Sequence, residues 1–471
     1  MTRDSVVVKT YRSPSQEGTR EVNDTSTVEP LRVTGGDGST AQLVGAHMLG
    51  ELADRIGLPS AYSGVVPWRG ERAPVHDRGR LLAQVAVMLA AGGRCVADMA
   101  ALRDQPALFG QVASDPTIWR TFDGIDSDVL EGLRAARAEA RAVVWRQRRR
   151  RGPVVVDVDA SLVEVHSEHK QNTASHYKGG FGFHPMFCYS DDGEALAGIL
   201  RPGNAAANSG ADQLEVVDAA IAQLPAEVAI GHRLGDDPSE VRERVVVRAD
   251  TAGHVHAFVA GLVTRNIEFS ISARVSDQLD SAIMQLPARR WRPAINPDGS
   301  ARRGAQIAEI GDVTLPGMPA GTRIIVRRER PHQGAQLRLW DHGGWRHQVL
   351  LTNSTGPARR LEVRHRRHGE VENRIKNAKD CGLERMPFTS FDANAAWMEM
   401  VLCAADLLVW CQQLLLDGDL AVAEPRTLRY RLLHVAGRLV HRARQVWLRL
   451  PERWPWTADL LGAYQRLATI T

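Results

Sequence analysis

Pro153-Val-Val-Val-Asp-Val-Asp159 and Arg244-Val-Val-Val-Arg-Ala-Asp250 are the two stretches from which the fold can be read. Each is a β-branched run that ends in an aspartate. β-Branched side chains suit a pleated, buried surface, and ligands of open α/β sheets gather beyond the carboxyl ends of the strands. Two strands of this design are expected to carry Asp159 and Asp250 to corresponding ends of one sheet, facing one another. Working outward, residues 162–165 and 182–189 read as strands, 213–224 and 252–263 as helices, and 267–273 as a strand. The order strand, strand, strand, helix, strand, helix, strand places the chain in the α/β class.

The flanking segments differ in character. Residues 1–38 are rich in Ser, Thr, Asp and Gly with few large apolar groups, the composition of a flexible arm. Over 39–151, Leu43, Met48, Leu49, Leu52 and Ile56 recur at helical spacing, and the pattern continues through residues 81–89 and Val96, Met99 and Leu102. A helical domain is expected there. Within it, Ser114-Asp-Pro-Thr-Ile-Trp-Arg120 sets a capping serine before an early-helix proline. This short helix reads either as the reading element of a helix-turn-helix, with Thr117 and Arg120 against DNA, or as a core helix anchored by Trp119. Residues 152–274 then hold the first part of the sheet. Over 275–360, frequent Gly and Pro with short alternating runs at 322–328, 336–339 and 348–351 predict a β-rich insertion. Helical periodicity returns over 361–420, and 421–471 reads as a carboxy-terminal helical region, with apolar runs at 395–416 and 428–450.

At 471 residues the chain is too long for one ordinary domain, and 44% hydrophobic with 24% charged residues excludes a disordered or fibrous protein. The most apolar segment, residues 398–416, is broken by Glu399, Asp406 and two glutamines, so no uninterrupted membrane span is expected. The first residues lack the apolar centre of a secretory signal, which predicts a cytoplasmic protein with no membrane association. Five scattered cysteines without a CxxC pair predict reduced core thiols. A net charge of +4 does not announce a polyanion, but the arginines cluster at 146–151, 289–303, 323–330 and 359–367. Because guanidinium groups grip phosphate oxygens in a bidentate way, nucleic acid is the expected partner.

A third acid lies in His365-Arg-Arg-His-Gly-Glu-Val-Glu-Asn-Arg-Ile-Lys-Asn-Ala-Lys379. At 100° per residue, His365, His368, Glu372 and Lys379 fall in one narrow helical stripe. The stripe suits a metal-binding carboxylate with cations on either side to hold phosphates.

Asp157-Val-Asp159-Ala-Ser-Leu-Val, the following His-Ser-Glu-His-Lys170 with Tyr177-Lys-Gly-Gly-Phe-Gly-Phe-His-Pro185, Val246-Val-Arg-Ala-Asp250, and Glu372-Asn-Arg-Ile-Lys376 with Lys379 and Pro387-Phe-Thr-Ser-Phe-Asp-Ala-Asn394-Ala-Ala-Trp397 occur in that order. Together they resemble the DDE transposases of bacterial insertion sequences, and within them the insertion-sequence family thirteen-eighty, over about residues 41–420. The family's first acid sits two residues before a threonine or serine, which maps it to Asp159, ahead of Ser161, rather than to Asp157. The second and third map to Asp250 and Glu372. The family's lysine two turns after the glutamate is Lys379, whereas its tyrosine and arginine positions are occupied by His365 and His368. The resemblance implies a ribonuclease-H-like core, a mixed sheet flanked by helices, with a β-rich insertion before the glutamate. It also implies an amino-terminal helical domain that binds terminal inverted repeats.

Three carboxylates without thiolates are hard oxygen ligands, which favour two Mg²⁺ or Mn²⁺ ions over Zn²⁺. Strand cleavage followed by strand transfer on double-stranded DNA is the expected chemistry, with a homodimer on paired ends. Lys379, His365, His368, Arg366, Arg374 and Lys376 form the expected DNA-contacting set around the glutamate, and Thr117 and Arg120 that of the helical domain. Two rival classes remain. One is a zinc hydrolase built on His254-Val-His256 and His166-Ser-Glu-His169. The other is a DNA-binding relic or repressor that no longer cuts.

Overall fold

The computed structural model describes residues 6–7, 32–33, 40–66, 74–150, 152–311, 313–331, 334, 341–442 and 445–470. Its centre is a nine-stranded sheet of β1 (Val154–Ala160), β2 (Met186–Ser190), β3 (Ala195–Ile199), β4 (Val245–Ala249), β5 (Glu268–Ala273), β6 (Arg292–Ile295), β7 (Ala301–Ile310), β8 (Arg323–Glu329) and β9 (Arg346–Thr352). The strands lie in the order β6-β7-β8-β9-β5-β4-β1-β2-β3. β1, β4 and β5 run parallel, while β1, β2 and β3 form an antiparallel meander.

Strand alternation assigns the two faces. Val154, Val156 and Val158 of β1, Val245, Val247 and Ala249 of β4, and Phe269 and Ile271 of β5 join one apolar cluster with Val216, Val217, Phe258 and Leu262. The last four come from the helices Gly210–Ala222 and His256–Val263, which cover that face in the manner required of parallel strands. The other face carries Asp157, Arg248, Ser270 and Ser272, under the helices Ala358–Arg366 and Glu370–Ala378.

The meander differs in detail from the sequence expectation. The run 182–189 is split into Phe181–Phe183 and β2 at His184-Pro185, because proline cannot donate to a central ladder. The third strand of the sheet is β3, Ala-Leu-Ala-Gly-Ile, which lacks the β-branched density by which strands are recognised. Residues 162–165 contribute only Val163–Glu164 to a small separate sheet. Helix His256–Val263 begins later than expected, after a 3₁₀ turn at Thr251–Gly253.

The β-rich stretch does not stand apart. β9 pairs antiparallel with β5 from Ser270↔Thr352 to Ala273↔Val349, and β8, β7 and β6 extend the same sheet. β6, with Pro293, is the edge strand, where a missing N–H is tolerated. The run at 336–339 lies outside the described residues, as does most of the stretch 1–38 read as an arm. In that stretch, Val6–Val7 pairs antiparallel with Arg32–Val33.

The helical residues before and after the sheet share one core. A single apolar cluster joins Val44, Leu49, Leu82, Leu89, Phe122 and Leu133 with Trp397, Leu407, Trp410, Leu432 and Leu460. At its centre, helix Phe391–Leu415 is apolar enough to cross a membrane by length and composition, yet the protein itself buries most of it. Its acids are matched from helix Ser127–Arg146. Arg137 bonds Glu399 at 2.5 Å and Asp406 at 2.7 Å, and Arg141 also bonds Asp406, all with buried side chains. Trp145 and Trp410 donate to buried Glu194 at 2.9 and 2.7 Å. The five cysteines are free.

The carboxy-terminal region corrects the all-helical expectation. Gly437–Arg442 (β10) and Gln445–Arg449 (β11) form an antiparallel ribbon, and β10 also pairs with Thr40–Ala41. Neither Leu439-Val-His-Arg442 nor Gln445-Val-Trp-Leu-Arg449 alternates apolar with polar residues, so no period of two marks these strands in the sequence. Helix resumes at Thr457–Leu467.

Candidate active site

Residues two apart on a strand share a face, so Asp157 and Asp159 lie on one side of β1, and Arg248 and Asp250 extend from β4 on the same side. The parallel register pairs Arg248 with Asp157. Arg248 makes a bidentate contact with Asp157 at 2.7 and 2.6 Å, both side chains fully buried. His368 adds a bond at 2.8 Å and Arg374 one at 3.2 Å. Burial would raise the Asp157 pKa, but the hydrogen bonds from His368 and Arg248 outweigh it and hold the carboxyl below its ordinary value.

One pleat further on, Asp159 has no such partner. Its Oδ1 accepts from the Ala160 backbone N–H at 2.8 Å. Burial pushes its pKa up to about 6, and the negative charges of Asp250 and Glu372 push in the same direction. The Ala160 N–H bond and the charge of His368 act in the opposite direction. Asp250 is exposed and caps the turn after β4, accepting from Ala252 N–H at 2.8 Å. Glu372 is exposed in the first turn of helix Glu370–Ala378.

Asp159 borders two clefts. One, of about 600 Å³, runs past Glu372, Lys376, Lys379, Arg94, Asp380 and Arg426. The other, of about 490 Å³, runs past Asp250, Tyr177, His184 and Gln213. Gly203 lines the second; a Cβ there would meet the Ala174 carbonyl at 2.3 Å, so the wall stays thin. Among the described residues, no three His, Cys, Asp or Glu side chains are gathered tightly enough to hold a metal ion, and this includes the three acids.

The expected phosphate contacts divide into two groups. Lys379 reaches the end of β1, its Nζ donating to Leu162 O at 3.0 Å, beside Glu372 in the same cleft. Lys376 is exposed there, 3.9 Å from Glu424. The other four are occupied inside the fold. The helical stripe is interrupted by a 3₁₀ turn at Arg367–Gly369. His365 sits between Ser270 Oγ at 3.1 Å and Ser272 Oγ at 2.9 Å. Burial, then the charges of His368 and Arg248, lowers its pKa to about 3, so it is neutral. His368 is bound to Asp157. Arg374 donates to the Ser190 and Asp191 carbonyls as well as to Asp157. Arg366 donates to Ile295 O at 2.7 Å. His365 and Arg366 thus anchor the helix Ala358–Arg366, and His368 and Arg374 anchor the turn and the helix that carries Glu372.

In helix Asp115–Asp123, Ile118, Thr121 and Phe122 are buried, and Trp119 packs edge-on against Phe388 at 4.5 Å. Trp119 nevertheless stays 38% exposed, Thr117 is half-buried, and Arg120 is exposed, bonding Pro116 O at 3.1 Å and Thr117 Oγ1 at 3.3 Å. Of the aromatics in the β-rich stretch, Trp291 is buried and Trp345 half-buried, and Arg328 stacks on both, 4.0 and 4.7 Å from their centroids; Trp340 lies outside the described residues. The rival zinc set is not gathered either: among the described residues, neither His254 and His256 nor His166 and His169 belongs to a group that could hold a metal ion.

Sequence reasoning assigned no role to Arg94, Asp380 or Arg426 in the Glu372 cleft, nor to Tyr177, His184 or Gln213 beside Asp250. Asp380 and Arg426 form a bidentate pair at 2.9 Å. They lie far apart along the chain, and no local pattern links them.

The fold thus combines a mixed sheet with Asp159 and Asp250 at the ends of two parallel strands, and Asp159 shares one cleft with Asp250 and another with Glu372. The chain belongs to the DDE transposases: the family model described as "Transposase DDE domain group 1" matches residues 26–471. No curated protein matches the chain. Family membership defines an enzyme that acts on DNA.

Proposed function

We propose that the chain is the transposase of a bacterial insertion sequence of the thirteen-eighty type, cutting and joining DNA at Asp159, Asp250 and Glu372. The observation that carries this reading is the position of Asp159 at the end of β1, where it borders both the cleft that Glu372 lines and the cleft that Asp250 lines, with no salt-bridge partner among the described residues. Asp157, two residues away on the same face, is neutralised by Arg248, His368 and Arg374 and acts as the foundation beneath the site. The strand order β3-β2-β1-β4-β5, with β1, β4 and β5 parallel, supports a ribonuclease-H-like core.

The donor chemistry, carboxylates alone, is that of a site for two divalent cations, Mg²⁺ or Mn²⁺; the three acids would have to draw closer to share them, Asp250 and Glu372 being exposed, and added positive charge would favour the ionised form of Asp159. When bound, such ions supply charge stabilisation for the attacking and leaving oxygens of an in-line displacement. Asp159 holds the fixed position at the end of β1, while Asp250 and Glu372 approach from either side. Lys379 and Lys376 hold the phosphates that flank the scissile bond. In the first step water attacks phosphorus and the 3′-oxygen leaves. In the second, that 3′-hydroxyl attacks the opposite strand or the target, so one P–O bond forms for each one broken and no covalent enzyme intermediate arises.

The helical residues 39–151 bind the terminal inverted repeats, with Thr117 and Arg120 toward DNA, and a homodimer pairs the two ends. Each of Asp159→Ala, Asp250→Ala and Glu372→Ala is expected to abolish Mg²⁺-dependent nicking of DNA from the element's end while sparing binding. Any variant that still nicks removes its residue from the site. Failure of the wild-type protein to cut at all would favour the binding relic.

A further inference from the structure

We propose that the outer face of the β10–β11 ribbon is a second contact surface for double-helical DNA, separate from the acidic cleft; it rests on the reading of the chain as a DNA-cleaving enzyme. The antiparallel register decides which residues share that face. Leu439 lies opposite Leu448, and both pack against the large apolar core. The opposite face therefore carries Arg438 across from Arg449, Val440 across from Trp447, and Arg442 across from Gln445. All three arginines are exposed, and Trp447 is 54% exposed between them.

The charge on this face is unbalanced. Other arginines are paired with acids, buried for Arg137, Arg141 and Arg248 and nearer the surface for Arg201, Arg265 and Arg323. Arg438, Arg442 and Arg449 have no carboxylate partner among the described residues. Residues 429–450 contain six arginines and two histidines but no aspartate or glutamate. Beside the ribbon, Tyr430 is 66% exposed and contacts Trp454 and Trp456, with Arg431 stacked 4.7 Å from the Trp456 centroid.

A two-stranded ribbon is one of the few protein elements that fits a groove of the duplex. Guanidinium groups in alternate positions along it can reach phosphates on both sides, and an exposed indole between them supplies apolar contact. An acidic protein surface would match the charge, but DNA is already the substrate of the adjoining site. The chain passes from Arg426, in the cleft beside Glu372, to the ribbon within a segment that spans at most about 40 Å when fully extended, on the order of one duplex turn. One duplex can therefore meet both surfaces.

Binding of the full chain to a short fluorescein-labelled duplex of mixed sequence, titrated with salt in the presence of a metal chelator, tests the proposal without any cleavage step. For Arg438→Gln/Arg442→Gln/Arg449→Gln, affinity at physiological salt should fall at least about tenfold, and the slope of log K against log salt should flatten by about 0.9 per lost phosphate contact. Arg442→Gln, near the ribbon tip, should flatten it by about one contact. Trp447→Ala should weaken binding with little change of slope. Variants that melt like the wild type but keep its affinity and slope overturn the proposal. So does a loss of self-association with DNA binding intact, which would make a second copy the occupant. Because the assay contains chelator and no cleavage step, its outcome for the ribbon variants does not depend on whether Asp159→Ala abolishes nicking, so failure of the ribbon and failure of the catalytic assignment are read separately.

Discussion

Asp157 and Asp159 offer a sharp test, because identical substitutions two residues apart on one face should change stability in opposite directions. The folded-state pKa of Asp159 is raised from 3.8 to about 6. A group so raised contributes stability that is complete below its unfolded value and is lost as pH rises through about 6. At about 1.4 kcal/mol for each tenfold change in proton affinity, the loss is about 3 kcal/mol at most, or about 2–3 kcal/mol once partial exposure is allowed for. An asparagine side chain in its place cannot ionise and still accepts the Ala160 N–H bond. Without divalent ions, Asp159→Asn should therefore be more stable than the wild type by that amount at pH 8 and equal to it near pH 4. Asp157 has the reverse sign, its lowered pKa giving stability that is present above the unfolded value and lost on acidification. Asp157→Asn strips the charge partner from buried Arg248 and should cost about 3–5 kcal/mol at neutral pH. Urea denaturation of the three proteins at the two pH values decides the matter. Stabilisation by both substitutions, or by neither, would refute the idea that one acid is compensated and the other held in reserve.

Other expectations follow from the same geometry. Mg²⁺ should raise the melting temperature of the wild type but not that of Asp159→Asn, because only the ion-binding folded state gains free energy by mass action; equal shifts by calorimetry would count against the site. Lys379→Ala should lower the cleavage rate and weaken substrate binding while leaving the melting temperature within a few degrees, since the lysine's one bond is to the Leu162 carbonyl. Arg137→Met should destabilise by about 3–5 kcal/mol, leaving Glu399 and Asp406 buried with fewer cations, whereas a loss below about 1 kcal/mol would mean that water reaches the pair. His365, held neutral with a pKa lowered to about 3, binds protons less readily folded than unfolded. Its contribution is lost as pH falls from about 6.5 toward 3, so His365→Gln should flatten the stability profile there.

What the sequence made legible was the part of the fold whose signal is local. A β-branched run with an acid at its end marks a strand and its carboxyl edge at once, and both β1 and β4 lie where that signal put them. β3 escaped notice because Ala-Leu-Ala-Gly-Ile owes its place to the helix Phe391–Leu415 packed against it rather than to its own propensity; Leu402 lies against Gly198 in that contact. The ribbon β10–β11 was hidden because its apolar residues are adjacent, Leu439-Val440 and Val446-Trp-Leu448, rather than alternating, and only the pairing of Leu439 with Leu448 against the core shows which face is inward.

The roles of the site residues divide on the same line. Spacing can put His365, His368, Glu372 and Lys379 on one stripe, but it cannot say which of them meets sheet and which meets solvent. That depends on what the strands beneath present: serines at 270 and 272 for His365, the Asp157–Arg248 pair for His368, and the open end of β1 for Lys379. The two histidines are thereby tied to the sheet, and the cations that line the Glu372 cleft are Lys376, Lys379, Arg94 and Arg426. If phosphate is held at this end of the sheet, those four must hold it. Arg426 also begins the segment leading to the unpaired arginines of the ribbon, which places positive charge along one continuous stretch of chain from the acids outward.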